Sequence, residues 1–398
     1  MCATGIIAEF NPFHNGHLKL MQTVKSENGN KPVVIVMSGN FVQRGEPAII
    51  DKWARAQMAL ENGADLVIEL PVYYATAGAA YFARGAASLL EATGIVNELF
   101  FGSECGEIEK INSAGNFFID EPKNFSGSMK KYLSEGMSYP SARQKAAADF
   151  FCVADGIISQ PNNTLGVEYI IALKKIGSNI IPKTVKRFDG SDISSAKFLR
   201  KIFAEDEINL HADKLPQNIL KIIEKKYAAK SFAALDNLSA VFHYLLKTQT
   251  VSKLAAYLDI DEALARRFAE CSGSRFFMSD IIFAVKTKRY THTHLQRAAL
   301  HVILNIETEN MEMFEKSGGP QYIRVLGFKK ESAFLFKLMQ KKSTLPLLTN
   351  IKNANNVLPE LAMKMFLKEI ESTDIYFLAQ KNGAGQKNYE YRTPLVII

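Results

Sequence analysis

Apolar and polar positions divide the chain into two differently patterned halves. In the first half, short apolar runs of strand length alternate with longer runs of helical period. Gly5-Ile6-Ile7-Ala8-Glu9-Phe10 opens the series, and Leu18-Lys19-Leu20-Met21-Gln22-Thr23-Val24 reads as the first helix. Pro32-Val33-Val34-Ile35-Val36-Met37 is a continuous apolar run, followed over 38–47 by a long loop punctuated by Gly and Pro. Asp51 supplies an N-cap for a helix over 52–62, which Gly63 ends. A third strand over 65–70 stops at Pro71, a small-residue helix covers 77–93, and a fourth strand covers 96–101. After a polar helical stretch over 105–150, Asn162 or Asn163 caps a helix over 166–175, and a fifth strand lies over 180–185. Apolar strands joined by helices predict a parallel α/β sheet buried on both faces. Ligands of such sheets bind beyond the carboxyl ends of the strands.

From about residue 209 strand runs nearly vanish. Helical runs dominate through residue 304 and again from 329, and Tyr391-Arg392-Thr393-Pro394-Leu395-Val396-Ile397-Ile398 forms a short apolar strand or docking tail. The expected organisation is an α/β unit over 1–208 followed by a mainly helical, basic unit over 209–398.

The chemistry concentrates where the first strand hands over to the first helix, at Asn11-Pro12-Phe13-His14-Asn15-Gly16-His17. A helix start carries unpaired N–H groups and partial positive charge, so it attracts anions, above all phosphate. His14 and His17, three apart, are placed to address the same phosphates, and Gly16 lets a bulky group approach the backbone. Two histidines at this spacing also resemble half of a metal site, but no third ligand cluster follows, and no protein-bound metal is expected. A second candidate is Ile193-Ser194-Ser195-Ala196-Lys197-Phe198-Leu199-Arg200, where hydroxyls, free N–H groups and cations converge at a helix start.

Composition narrows the class. With 398 residues, 47% apolar and 22% charged, the chain is long enough for two domains and a substantial core. No run reaches bilayer length and no charged-apolar-small leader pattern opens the sequence, so no membrane role and a cytoplasmic location are expected. Cys2, Cys105, Cys152 and Cys271 lack CxxC spacing, which argues against a disulfide framework or structural zinc. The net charge of +7 points to a polyanionic partner. Its most concentrated part is Lys286-Thr287-Lys288-Arg289-Tyr290-Thr291-His292-Thr293-His294-Leu295-Gln296-Arg297, basic with an interleaved aromatic, a composition suited to the phosphate backbone of a nucleic acid.

His14-Asn15-Gly16-His17 after an N-terminal apolar strand resembles the HxGH signature of the nucleotidyltransferase superfamily, which implies a Rossmann-like parallel sheet. Ile193-Ser194-Ser195 resembles the Ile-Ser-Ser-Thr-x-Ile-Arg element of that superfamily, from which Ala196, Lys197, Phe198 and Leu199 depart. Together with Met37-Ser38-Gly39-Asn40-Phe41-Val42-Gln43-Arg44-Gly45-Glu46-Pro47, Trp53-Ala54-Arg55, Phe100-Phe101-Gly102-Ser103-Glu104, Gln160-Pro161-Asn162-Asn163, Lys186-Arg187 and Lys288-Arg289-Tyr290, the chain resembles the bacterial tRNA(Met) cytidine acetate ligases end to end. It departs from them at Asn40, where histidine is expected, and in a shortened loop between Arg187 and Ile193.

The resemblance implies ATP-dependent activation of acetate as acetyl-adenylate with release of pyrophosphate. Acetylation of the wobble cytidine of elongator tRNA(Met) to N4-acetylcytidine follows. It implies ATP contacts along Ile7-Ala8-Glu9-Phe10-Asn11-Pro12-Phe13-His14-Asn15-Gly16-His17-Leu18-Lys19-Leu20 and at Gly102, Asn163 and Arg187. Asn162, Ser194 and Ser195 join them as ATP-site candidates, His14 and His17 are the catalytic pair, and magnesium is expected to arrive with ATP. In the basic stretch, Lys286, Lys288, Arg289 and Arg297 become the candidate contacts to tRNA. Two other readings stay open on residues alone: a small-molecule adenylyltransferase of the same superfamily, and a non-catalytic ATP-responsive RNA-binding protein.

Overall fold

A computed structural model describes residues 2–150, 154–187, 198–200, 202, 213–271, 273, 276–382 and 387–398. Its centre is a mostly parallel sheet. Ala3–Ala8 (β1) pairs in parallel with Val33–Ser38 (β2) on one side and Val96–Ser103 (β4) on the other. Beyond β2 lies parallel Leu66–Leu70 (β3), and beyond β4 lies parallel Ile181–Lys186 (β5). The strand order therefore reverses between β1 and β4, which opens a crevice at their carboxyl ends. The expected fold class holds, and each of the five strands expected in the first half is present within two residues of its predicted limits.

The β2 run is buried along its whole length because it serves two cores. Val33, Ile35 and Met37 pack with Met21 and Val24 of Asn15–Glu27 (α1) and with Ala56 and Ala59 of Lys52–Glu61 (α2). Val34 and Val36 join the core that includes Leu89 and Leu90 of Ala79–Ala92 (α3) and Ile170 of Pro161–Lys175 (α4). Strand alternation sends successive side chains to opposite faces, so a continuous apolar run marks a sheet covered on both sides.

Three details differ from the sequence reading. The first helix begins at Asn15 rather than near Leu18, so the histidine motif forms its cap and first turn. The loop after β2 contains a small antiparallel ladder between Phe41–Val42 and Glu46–Pro47. The helix expected from residue 166 begins at Pro161 and is not capped by either asparagine. Its N-cap is Gln160, and the carboxylate of Glu104 takes the N–H groups of Asn162 and Asn163 instead, at 3.2 and 2.8 Å. Proline fits the first helical turn, where no N–H partner is needed.

Three strands from the second half complete the sheet. Ile323–Phe328 (β6) runs antiparallel beside β3, and Leu347–Leu348 (β7) and Val396–Ile397 (β8) lie parallel to β6. The C-terminal apolar tail is thus a strand, and the sheet extends across the expected boundary at 208/209. The rest of the second half is largely helical and includes His292–Leu304 (α5) and Glu360–Leu378 (α6). Among the described residues no helix is long and apolar enough to cross a membrane.

The two halves meet through buried charges. Lys52 of α2 pairs with Glu69 of β3 and with Glu390, and Arg324 of β6 pairs with Glu69 at 2.7 Å and with Glu390. Glu369 of α6 accepts the N–H of Val72, and Thr373 donates to Glu390. All five charged side chains are at most 2% exposed. Burial opposes charging of Glu390, but Arg324 and Lys52 outweigh it and hold the carboxyl well below the usual range. Burial and the charge of Glu69 push Glu369 up. Asn40 fits here as an uncharged bridge: its Oδ1 accepts from Lys52 N–H at 2.9 Å and its Nδ2 donates to Thr373 at 3.0 Å.

Removing one partner of such a network strands the opposite charge in a low-dielectric interior. Arg324→Met is therefore expected to lower the unfolding free energy by about 3–5 kcal/mol, read by urea denaturation at neutral pH. A loss below about 1 kcal/mol, the range of an ordinary surface pair, would show that these charges do not join the halves.

Candidate active site

His14 is the N-cap of α1, with extended backbone (φ −147°, ψ 175°). Its Nδ1 accepts the N–H of Gly16 at 3.0 Å, while Nδ1 of His17 accepts the N–H of His14 at 3.3 Å. This reciprocal cap is usually made by Ser or Thr with Glu or Gln; here two imidazoles make it, with ring centroids 3.8 Å apart. A ring nitrogen that accepts carries no proton, so each neutral ring presents Nε2–H as its donor. Burial lowers His14 to about 4, and the nearby guanidinium groups of Arg187 and Arg200 add to the effect. Burial, then His14 and Arg187, lower His17 further below its ordinary value. The pair therefore offers two neutral donors at pH 7, and the positive charge of the site comes from arginine.

The turn between β1 and α1 is held from behind. Buried Arg55 donates through Nη1 to the carbonyls of Glu9 (2.7 Å) and Ser38 (3.0 Å), through Nη2 to Gly39 and through Nε to Ile50 (2.8 Å). One side chain thus ties the ends of β1 and β2 together. Asn11 accepts the N–H of Ile49 on its Oδ1 at 2.8 Å, and its carbonyl accepts from Arg200 at 2.9 Å. Arg200 also pairs with Glu46 at 3.1 Å. Glu9 is pushed up by burial and accepts the N–H of Gln43 at 2.9 Å. Phe10, with φ 49°, occupies the left-handed region, which costs a bulky residue energy and is met at ligand sites.

Glu9, Phe10, Asn11, His14, His17, Gln43, Arg187 and Arg200 line one cavity of about 1830 Å³, with Arg55 behind them. Of the sequence-predicted ATP residues, Ile7, Ala8, Glu9, Phe10, Asn11, His14, Gly16, His17, Leu20, Gly102, Asn162 and Arg187 lie on its wall. Pro12, Phe13, Asn15, Leu18, Lys19 and Asn163 are not on that wall. Phe13 is core, packed on Phe10 at 4.9 Å between ring centroids, and Asn15 donates to the carbonyl of Asp213. Asn163 is buried, with Oδ1 accepting the N–H of Cys105 at 3.1 Å, so it fixes the turn after β4. Asn162 faces the cavity, where its Oδ1 accepts from Arg187 at 3.2 Å. Ser194 and Ser195 lie outside the described residues.

Of the tRNA candidates, Arg289 and Arg297 line the same cavity, whereas Lys286 and Lys288 are exposed off its wall. Arg297 is mostly buried and its Nε is committed to Asp259 at 3.1 Å. Sequence reasoning missed Asp259, Asp261 and His294 on this wall, because nothing in their local pattern points towards a strand end more than 200 residues away. Among the described residues no group of three or more His, Cys, Asp or Glu is arranged to hold a metal ion.

A ring with a lowered folded pKa binds its proton more readily when unfolded. The stability these histidines contribute is therefore present above pH 6.5 and is lost as pH falls from 6.5 towards 4. In the folded protein at pH 6, imidazole 15N shifts of His14 and His17 are expected to show Nδ1 bare and Nε2 protonated; a titration midpoint near 6.5 for His14 would contradict the buried, neutral pair.

Comparison with known proteins agrees with the geometry. The HIGH Nucleotidyl Transferase family matches residues 1–390. A tRNA(Met) cytidine acetate ligase of Acetivibrio thermocellus is 35% identical over 415 residues, covering 100% of both chains. That of Caldanaerobacter subterraneus subsp. tengcongensis is 37% identical, covering 97% of this chain and 98% of its own. The crystal structure of Thermotoga maritima TmcAL bound with alpha-thio ATP superposes with a TM-score of 0.94 at 32% identity, covering 100% of each chain. A shared motif, a shared sheet and likeness over the full length place this chain in the tRNA(Met) cytidine acetate ligase family of HIGH nucleotidyltransferases.

Proposed function

We propose that this protein is an ATP-dependent ligase that acetylates the wobble cytidine of elongator tRNA(Met) to N4-acetylcytidine. The observation that carries this reading is the paired Nε2–H donors of His14 and His17 beside Arg187 and Arg200, at the mouth of the first helix of a fold matched end to end by relatives of that name. In the first step an acetate oxygen attacks the α-phosphorus of ATP. The bond to the bridging oxygen breaks, giving acetyl-adenylate and pyrophosphate. No protein nucleophile is needed, only alignment and donors where phosphate charge develops. His14, His17, Arg187 and Arg200 are the donors, and Gly102 and Asn162 line the space for the nucleotide. Magnesium would come with the ATP phosphates. In the second step the exocyclic amine attacks the acetyl carbon and AMP leaves.

The region over 209–398 is the tRNA-facing part in this proposal. Arg289 stands on the cavity wall, and exposed Lys286 and Lys288 stand next to it in sequence, suited to phosphates of the RNA backbone.

His14→Ala and His17→Ala are each expected to slow acetate-dependent pyrophosphate exchange by about 10²–10³ while the protein stays folded. Exchange at the wild-type rate in both variants would place the chemistry elsewhere. Lys286→Ala combined with Lys288→Ala should spare exchange and weaken all tRNAs alike. The slope of log affinity against log salt should flatten by about 0.7–0.9 for each phosphate that the variant no longer neutralises. Filter binding over a salt series measures this, and an unchanged slope would remove both lysines from the interface.

A further inference from the structure

Arg187 follows β5 directly and is held at three points. Its backbone N–H donates to the carbonyl of Ser103 at 2.8 Å, which ties it to the end of β4. Its stem lies along Gly102, where a Cβ would stand 3.3 Å from Cγ and 4.0 Å from Cδ of Arg187. Its Nη1 donates to Oδ1 of Asn162 at 3.2 Å. The last contact fixes where the end of a long, flexible side chain stands on the wall that it shares with His14 and His17.

Asn162 is itself held by Glu104. Oε1 of Glu104 accepts from Nδ2 of Asn162 at 2.6 Å and from its backbone N–H at 3.2 Å, and Oε2 accepts the N–H of Asn163 at 2.8 Å. The amide of Asn162 therefore stands between a carboxylate, which accepts, and a guanidinium, which can only donate. That chemistry fixes which way it faces. Turned over, it would set oxygen against carboxylate and NH₂ against guanidinium, two repulsions in place of two hydrogen bonds.

The interposed amide has an electrostatic consequence. A carboxylate bonded directly to Arg187 would offset the positive charge that attracts phosphate, because Coulomb interaction is strongest at contact. An amide carries no charge and passes on position alone. Arg200, by contrast, is paired with the carboxylate of Glu46 at 3.1 Å.

Resting on the acetylation reading, we propose that Glu104 is a positioning residue for adenylate formation. It orients the amide of Asn162, and the amide sets the Arg187 guanidinium against the phosphates of ATP. Glu104 acts on the reaction only through that link.

The experiment measures acetate-dependent pyrophosphate exchange by the full-length protein in two backgrounds, wild type and Arg187→Ala. Each background is assayed with Glu104 intact, with Glu104→Met and with Glu104→Gln. Methionine fills a similar space and accepts nothing, whereas glutamine keeps one oxygen for Nδ2 of Asn162. With Arg187 present, Glu104→Met should slow exchange about tenfold, the worth of one well-made hydrogen bond. In the Arg187→Ala background it should cost less than about twofold, because a residue that acts through Arg187 has nothing left to place. Glu104→Gln should fall between Glu104→Met and wild type. Melting curves show whether each protein is folded, and Glu104→Ala takes the place of Glu104→Met in the cycle where the latter is not. Equal losses with and without Arg187 overturn the proposal, since a mere support of the helix start would act alike in both backgrounds. A wild-type rate in Glu104→Met or in Arg187→Ala overturns it too, as does a folded Glu104→Gln as slow as Glu104→Met. Those three results leave the acetylation reading standing. Wild type that exchanges no pyrophosphate when acetate is present refutes that reading, and the proposal with it.

Discussion

Two cations and three carboxylates share a buried site where the halves of the chain meet, and the placement of the active cavity depends on them. Lys52, Glu69, Arg324, Glu369 and Glu390 belong to segments separated by as much as 338 residues in sequence. Ion pairs of this kind add little over an apolar core, because desolvation offsets attraction. Their effect is on specificity. A one-residue slip of β6 against β3 would turn Arg324 away from Glu69 and leave charges buried without partners. Three ionised acids would outnumber the two cations, and the upward shift of Glu369 relieves that imbalance.

With this junction set, the helical half is brought against the ends of the parallel strands. Gly45, at φ 80°, shows how close the approach is: a Cβ there would lie 2.3 Å from the backbone nitrogen of Arg297 in α5. The same hairpin carries Glu46, which pairs with Arg200, and Gln43, which donates to Glu9. Tyr376 of α6 donates to the carbonyl of Ala48 just beyond it. A short loop of the first half is thereby pinned to the helices that line the rest of the cavity. Two kinds of wall result, one of neutral imidazoles and arginines suited to phosphates, the other of carboxylates and aromatic rings.

The neutral state of the histidine pair follows from the local geometry. Each Nδ1 is used to satisfy an N–H at the start of α1, and burial beside two guanidinium groups makes a ring cation costly. The motif thus caps a helix and presents neutral donors at a cavity with the same four ring nitrogens, and the positive charge beside it belongs to Arg187 and Arg200.

What the sequence by itself determined is local. The five core strands and the strand-to-helix turn bearing His14 and His17 were readable because apolar period, glycine, proline and capping residues act within a few positions. The resemblance of the motifs carried the chemistry as far as ATP, acetate and a tRNA base. Tertiary structure alone decided the rest. Ile323–Phe328 is too short a run to be told from helix by period, and pairing with β3 makes it a strand. Asn162 and Asn163 looked like caps, yet the carboxylate of Glu104, 58 residues away, took that place, because a charged acceptor at a helix start outcompetes an amide. Arg297 read as a free cation and proved to be committed to Asp259. Above all, the carboxylates and His294 joined the histidine motif in one cavity only through long-range packing, since side-chain partners brought together across hundreds of residues leave no periodic trace in the chain between them.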